Sequence, residues 1–113
     1  MYISIYEVGD IYTSDYILDE TFTLLFRRLR FGEAKRSLDI LDMAIEEDYI
    51  CLERITAERF EKAKSMRIRF QDKPRISFTD FTSMVVMAEL GITDILTEDE
   101  HFTQVGMGFQ RVP

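Results

Sequence analysis

The sequence predicts an α/β domain of three layers, in which a mostly parallel central sheet is flanked by helices. Two observations support this fold class. Short apolar segments typical of strands alternate with longer segments whose apolar residues recur every three or four positions, as in amphipathic helices. Residues that begin or end helices separate the two kinds of segment. Strands that alternate with helices indicate a sheet covered by helices.

Nine elements are predicted, each from its local residue pattern. The predicted strands are 2–8, 11–13, 49–52, 95–96 and 105–112, and the predicted helices are 14–31, 33–47, 56–70 and 77–90.

The elements of the first half of the chain are predicted from the alternation of apolar and polar residues and from residues that cap or end helices. Residues 2–8 alternate and are rich in Tyr, Ile and Val, and a turn separates them from a shorter strand of the same kind. Ser14 or Asp15 can cap the first helix, and Gly32 is predicted to end it. The next helix, 33–47, carries its apolar residues on one face.

The second half begins with a continuous apolar run, 49–52, which is typical of a parallel strand buried on both faces. Thr56 can cap the third helix. The fourth helix opens with a Ser77-to-Asp80 capping box and is closed by Gly91. A brief buried strand, 95–96, is predicted after this helix. The last strand, 105–112, contains two glycines that loosen it.

Length and composition indicate one globular domain over residues 1–113. Two domains would each be too small to bury a core, and 46% hydrophobic residues exclude a disordered chain. Cys51 is the only cysteine, which excludes an internal disulfide, and we expect it to be a buried core thiol. With no apolar run of bilayer length and no signal peptide, the predicted location is the cytoplasm.

Charge is unevenly distributed along the chain. The net charge of −7 argues against a protein that coats nucleic acid by charge alone, although a divalent metal would reverse the sign at an acidic site. Residues 59–75 nevertheless carry seven basic residues and only two acidic ones. This stretch is either a set of solvated helix faces or a surface that contacts phosphates.

Three acidic residues, Glu20, Asp80 and Asp99, each lie where an apolar segment meets a turn or a helix start. An α/β fold places its ligands there, just beyond the carboxyl ends of its strands. Converging carboxylates would form a hard-oxygen site suited to Mg²⁺ or Mn²⁺. Each acid also has a structural explanation: Asp80 as a helix cap, Glu20 as an exposed helix acid and Asp99 as part of a solvated turn.

Other chemistries lack their motifs. His101 is the only histidine and has no second histidine or cysteine nearby, which excludes the usual zinc patterns. No nucleophile elbow and no glycine-rich phosphate loop is present.

Three stretches resemble the acidic motifs of the PIN-domain ribonucleases, a family that includes VapC-type toxins of toxin–antitoxin pairs. They are Tyr12–Glu20, Ile76–Asp80 and Gly91–Phe102, and the likeness spans about residues 10–112. The resemblance implies a PIN-like fold and a metal-dependent ribonuclease. It also implies RNA as substrate and an antitoxin protein as a partner.

The resemblance assigns roles to individual residues. Glu20, Asp80 and Asp99 would be catalytic and would hold one or two Mg²⁺ or Mn²⁺ ions, with Asp19 and Glu98 as outer acids. Flanking phosphates of the RNA would contact basic residues of the 59–75 stretch, namely Lys64, Arg67, Arg69, Lys73 and Arg75.

The chain departs from the family pattern at its beginning. PIN domains usually start with a strand that ends in an aspartate, whereas this domain is N-terminally shortened, with only Met1–Gly9 before the matching region. Either the first strand is lost or mis-assigned, or residues 1–8 take its place, with Ser4 or Glu7 near the missing aspartate. A missing first strand would expose strand edges and would favour a homodimer or a higher homo-oligomer.

Two alternatives to the nuclease follow from the residues. The missing acid favours a degenerate, inactive PIN-like protein that serves as a protein-binding or oligomerising module. A receiver-like signalling domain fits less well, because its acids would cluster after early strands.

Overall fold

The computed structural model describes residues 3–6, 10–97 and 100–112, and describes side chains over 11–97 and 100–112. Its elements, in chain order, are β1 (Ile3–Tyr6), β2 (Asp10–Ser14), α1 (Asp15–Arg28), α2 (Phe31–Glu46), β3 (Cys51–Glu53), α3 (Ala57–Arg69), α4 (Phe78–Leu90), β4 (Asp94–Leu96) and β5 (Gln110–Val112).

The strands form one sheet in the order β3-β2-β1-β4-β5. The pairs β2–β3 and β4–β5 are parallel, and β1 is antiparallel to both of its neighbours. Among the described strands, all except β1 therefore point the same way, as expected for a mostly parallel sheet. Their carboxyl ends, at Ser14, Glu53, Leu96 and Val112, lie along one side of the sheet, which we call the carboxyl edge.

β1 lies between β2 and β4, so the beginning of the chain occupies a central place in the sheet. Residues 3–6 thus form a strand within the sheet, as in the arrangement in which residues 1–8 take the place of the first strand. Because β1 is antiparallel, Ile3 pairs with Leu96 at the carboxyl edge, whereas Tyr6 pairs with Asp10 at the opposite side. Glu7 lies outside the described residues.

α4 is the central helix of the core. The Ser77 capping box begins it, and Gly91 ends it in the left-handed conformation (φ 72°). Residues 80–87 are all buried, as expected for a helix that is apolar around most of its circumference and packs against both α3 and α1. None of the described helices, α4 included, could cross a bilayer.

The first helix ends earlier than predicted. α1 stops at Arg28, because Leu29 (ψ 159°) and Arg30 (ψ 151°) are extended, and Gly32 is the second residue of α2 rather than a helix stop. The break is accompanied by packing of the Phe31 ring against Phe26, with centroids 5.7 Å apart.

The strand predicted over 49–52 is shifted and is less buried than expected. β3 is an edge strand whose three residues are half-buried, and Tyr49 is 69% exposed and precedes it. Cys51 is accordingly half-buried rather than part of the core. A short apolar run does not by itself reveal whether a strand is central or at an edge.

The last strand is also shorter than the predicted 105–112. Gly106 and Gly108 adopt positive φ angles of 68° and 85°, which no regular strand accommodates, so only Gln110–Val112 pairs with the sheet. Phe102, Val105 and Phe109 of this region fill the core instead.

Candidate metal centre

Glu20 is positioned by the way α1 leaves the carboxyl edge. Ser14 caps the helix, its Oγ accepting a hydrogen bond from the Ile17 amide at 3.2 Å. The Asp15 Oδ1 atom accepts bonds from the amides of Tyr16 and Ile55, both at 3.0 Å, and so ties the helix start to the segment after β3. Glu20 follows in the second turn and is half-buried.

Asp80 is positioned by the first turn of α4. The Ser77 Oγ atom accepts from the Asp80 amide at 3.1 Å, and Asp80 Oδ2 accepts from the Ser77 amide at 3.3 Å. This is the predicted capping box, and it holds the Asp80 carboxylate inside the protein at 1% exposure. A cap at the N-terminus of a helix also places the carboxylate in the favourable end of the helix dipole.

The two acids lie close enough to influence each other, although 60 residues separate them in the chain. Burial raises the pKa of Glu20 most, and the negative charges of Asp80 and Asp19 raise it further, whereas a hydrogen bond with Thr79 acts in the opposite direction. Two carboxylates sharing one site repel each other. In the folded protein Glu20 is thus close enough to Asp80 for the charge of Asp80 to raise its pKa.

One oxygen of Asp80 has no partner in the described structure. Oδ1 is buried and accepts no hydrogen bond, although a buried polar atom without a partner costs free energy. A divalent cation prefers carboxylate oxygens of this kind and would offset the repulsion between Asp80 and Glu20. The residues present therefore fit Mg²⁺ or Mn²⁺.

The remaining predicted acids are less well defined. Asp99 and Glu98 lie outside the described residues, and within the described part of the chain no group of three or more His, Cys, Asp or Glu side chains could hold a metal ion. Asp19 is exposed and lines an open groove beside Glu20, with Thr23 and Leu24.

His101 makes a contact that its sequence context does not predict. Its Nδ1 atom lies 3.3 Å from Asp80 Oδ2, and the ring is 23% exposed. The only available signal was its place in the same motif as Asp99, two residues further along the chain. Spacing alone could not indicate that the ring reaches α4.

Arg67 has a structural task in the region of the predicted phosphate contacts. It donates hydrogen bonds to the carbonyls of Phe70, Lys73 and Ile76 at 2.6–2.9 Å, and its guanidinium stacks 4.8 Å from the centroid of the Phe81 ring. These contacts secure residues 70–76, which we call the pre-α4 turn.

The other basic residues that were predicted to contact phosphates differ in their own contacts. Lys64 pairs with Glu61 at 3.1 Å, and Lys73 pairs with Asp72 at 3.2 Å. Arg69 lies over the Phe70 ring. Arg75 is exposed on the pre-α4 turn, and the ion pairs of the described residues do not include it.

Comparison with known proteins identifies the family. The model of the PIN-domain family matches residues 2–107. This chain belongs to the PIN-domain family. It is 33% identical over 94 residues to the 23S rRNA-specific endonuclease VapC20 of Mycobacterium tuberculosis in two strains, CDC 1551 / Oshkosh and H37Rv, a match that covers 83% of this chain and 68% of the relative.

A solved structure supports the same assignment. The crystal structure of Mycobacterium tuberculosis VapC20, described as a sarcin-ricin loop cleaving toxin, superposes with a TM-score of 0.73 at 32% identity. The superposition covers 88% of this chain and 73% of that one. The predicted PIN-like fold and PIN-type ribonuclease function are thereby confirmed. VapC-type PIN nucleases generally depend on divalent metal ions, act on RNA and pair with antitoxins.

Proposed function

We propose that this PIN-domain protein is a metal-dependent endoribonuclease that hydrolyses RNA at the carboxyl edge, with Glu20, Asp80 and Asp99 as its metal-holding and catalytic groups. The observation that carries the proposal is the buried Asp80 Oδ1 atom, which has no hydrogen-bond partner. The charge of Asp80 also raises the pKa of Glu20, which indicates that the two carboxylates are near each other. Membership of the PIN-domain family supplies the reaction class.

The chemistry divides between the ion and the chain. A bound Mg²⁺ or Mn²⁺ supplies charge stabilisation at the scissile phosphate and lowers the pKa of a water nucleophile. Asp80 offers Oδ1 from a fixed helix terminus, and Glu20 offers a carboxylate from the facing helix. Held on two packed helices, the groups need little reorganisation when substrate binds.

Asp99 is included on the strength of its place in the chain. β4 ends at Leu96 on the carboxyl edge, and His101, two residues after Asp99, contacts Asp80. The residues that precede Asp99 thus end at the carboxyl edge, and those that follow it reach Asp80. A third acid there would bring the oxygen donors to the number that a hexacoordinate ion, completed by water, can use.

The surface next to α4 suits the phosphates that flank the scissile bond. Arg75 lies two residues before the capping box and is exposed, and Lys73 and Arg69 are close to it in the chain. We propose Arg75 as the principal contact and Lys64, Arg69 and Lys73 as weaker ones. Arg67 contributes through the pre-α4 turn that carries Arg75.

Ribosomal RNA is the substrate to test first, because the matched relatives are named for cleavage of 23S rRNA. A protein partner is also proposed, either an antitoxin or a second copy of this chain. Ile40 and Met43, one helical turn apart on α2, are 60% and 56% exposed and are candidate residues for this contact. Light scattering, which gives the mass in solution, tests the homodimer.

The substitution Asp80→Asn tests the proposed function. Asparagine keeps the size of the side chain and one oxygen for the cap, but it is a poor ligand for a hard cation. We expect RNA cleavage to fall by more than about 100-fold and Mn²⁺ binding, measured by calorimetry, to be lost. Asp39→Asn, which removes an exposed carboxylate paired with Lys35 on α2, is the matched control and should leave both unchanged.

A triple variant with alanine at 20, 80 and 99 completes the test. Metal-dependent cleavage at the wild-type rate in this variant would contradict the proposal. A wild-type protein that binds no Mn²⁺ at millimolar concentration would instead support the inactive, protein-binding alternative.

A further inference from the structure

We propose that His101 is a positioning residue that fixes the orientation of the Asp80 carboxylate and so determines which of its oxygens faces the metal ion. This inference rests on the proposed metal site and adds a residue to it. It concerns the only histidine of the chain, for which the acidic motifs provide no role.

The hydrogen bonds around Asp80 are distributed unequally between its two oxygens. Oδ2 faces two groups, the Ser77 amide and the His101 Nδ1 atom, both at 3.3 Å, whereas Oδ1 faces none. An ionised carboxylate can only accept hydrogen bonds, so Nδ1 must carry the hydrogen that joins the two side chains. Two donors on the same oxygen prevent rotation of the carboxylate and reserve the other oxygen for the cation.

His101 is itself held by a compact turn. The amide of Gln104 donates to the His101 carbonyl at 3.2 Å, and the Thr103 hydroxyl donates to the Glu100 carbonyl at 2.7 Å. The next residue, Phe102, is fully buried and packs edge-on against Phe109, with centroids 6.3 Å apart. The ring therefore approaches α4 from an anchored backbone, which an orienting group requires.

The expected effect is moderate rather than complete. Removing a group that hydrogen-bonds to a metal ligand, without binding the metal itself, usually weakens metal affinity by about 10–100-fold. The Ser77 amide still holds Oδ2 when the imidazole is absent, so the ligand would be loosened and not lost.

Two amide substitutions separate orientation from simple structural support. In His101→Asn the amide nitrogen takes approximately the place of Nδ1, and in His101→Gln it takes approximately that of Nε2. We expect the Asn variant to bind Mn²⁺ within about threefold of wild type and the Gln variant to bind about 10–100-fold more weakly by calorimetry. RNA cleavage at limiting Mn²⁺ should follow the same order. Melting temperatures of the metal-free proteins serve as the folding control.

A measurement on the wild-type protein does not depend on the variants being folded. Because the chain has one histidine, its imidazole nitrogens give unambiguous NMR signals. We expect neutral His101 to carry its proton on Nδ1, and we expect saturating Mg²⁺ to shift these signals in wild type but not in Asp80→Asn.

The outcomes are distinguishable. If wild type binds Mn²⁺ and Asp80→Asn does not, but His101→Gln binds like wild type, the positioning role is wrong and the metal site stands. Equal weakening in the Asn and Gln variants, or a proton on Nε2, would also overturn the role. If wild type fails to bind Mn²⁺, the proposed function and this inference fall together.

Discussion

At the scale of single residues, Asp80 caps a helix and, in the proposed function, also holds a metal ion, two roles that its sequence context presents as alternatives. The capping box explains a carboxylate at the third position of a helix, and the structure confirms it. The cap uses Oδ2 alone, however, and leaves Oδ1 buried without a partner. A residue that only capped the helix would have no reason to bury a second, unpaired oxygen.

Glu20 gives a prediction about stability. Its pKa is raised, chiefly by burial and further by Asp80 and Asp19, so the folded state resists its ionisation. A glutamate with a raised pKa in the folded state destabilises the fold above that pKa, and the penalty vanishes below the ordinary glutamate value. In metal-free protein at neutral pH, Glu20→Gln should therefore increase the free energy of unfolding, by less than about 1 kcal/mol at this half-exposed position.

Thermal unfolding between pH 4 and pH 7 measures this effect. The gain should disappear toward the acid end, and added Mn²⁺ should stabilise wild type but not the variant. Glu61→Gln, at an exposed ion pair with Lys64, is the control and should show neither behaviour. A gain that persists unchanged at acid pH would contradict an electrostatic origin.

At the scale of elements, the pre-α4 turn connects the basic stretch to the acidic site. Arg67 donates hydrogen bonds to three carbonyls of the turn and stacks on Phe81, a fully buried residue of α4. The turn then leads through the buried Ile76 into the capping box that holds Asp80. The position of the carboxylate thus depends on an arginine 13 residues before it in the chain.

Arg67→Met should consequently lower stability as well as activity. Hydrogen bonds from a charged donor contribute about 1.5–3 kcal/mol each, but water can replace some of them at a surface turn, so a loss of about 2–4 kcal/mol is expected in chemical denaturation. RNA cleavage should fall with it. Lys64→Met, which removes only an exposed ion pair, should cost less than about 0.5 kcal/mol. Weaker RNA binding with unchanged stability would identify Arg67 as a phosphate contact instead.

How far the sequence predicts the fold depends on whether the decisive interaction is local. The caps at Ser14 and Thr56 and the capping box at Ser77 were predicted and are present, because each is closed within three residues. The end of α1 was misplaced, since Gly32 resembles a helix stop whereas the chain actually turns at Leu29 and Arg30. The edge position of β3 could not be predicted either, because it depends on how strands far apart in the chain pair with one another.

The candidate site shows the same division. Glu20 and Asp80 could be proposed because acids near strand ends converge in an α/β fold, and in the structure the charge of Asp80 raises the pKa of Glu20. Two contacts could not be proposed from the sequence: that of His101 with Asp80, and the hydrogen bonds of Arg67 within the pre-α4 turn. Both depend on how far a side chain extends in the folded protein, which residue spacing does not predict.

At the scale of the whole molecule, the basic stretch is less available for RNA than its composition suggests. Arg59 pairs with Glu53 at 3.1 Å and with Glu89 at 2.9 Å, and Lys62 shares Glu89 at 2.9 Å. Much of the local positive charge thus joins α3 to α4 and β3. We therefore expect a protein with a net charge of −7 to attract RNA through a few exposed cations beside the proposed metal site.

Arg75 is the exposed cation that we expect to contribute most to RNA binding. It is exposed on the pre-α4 turn, two residues before the capping box, whereas Lys62 is bound to Glu89. Each phosphate contact that is lost lowers the slope of log affinity against log salt concentration by about 1. In an Asp80→Asn background, which prevents cleavage, Arg75→Gln should weaken binding of RNA of any sequence and reduce this slope, whereas Lys62→Gln should change neither. Fluorescence anisotropy over a salt series measures both quantities, and an unchanged slope for Arg75→Gln would exclude this arginine from the RNA-binding surface.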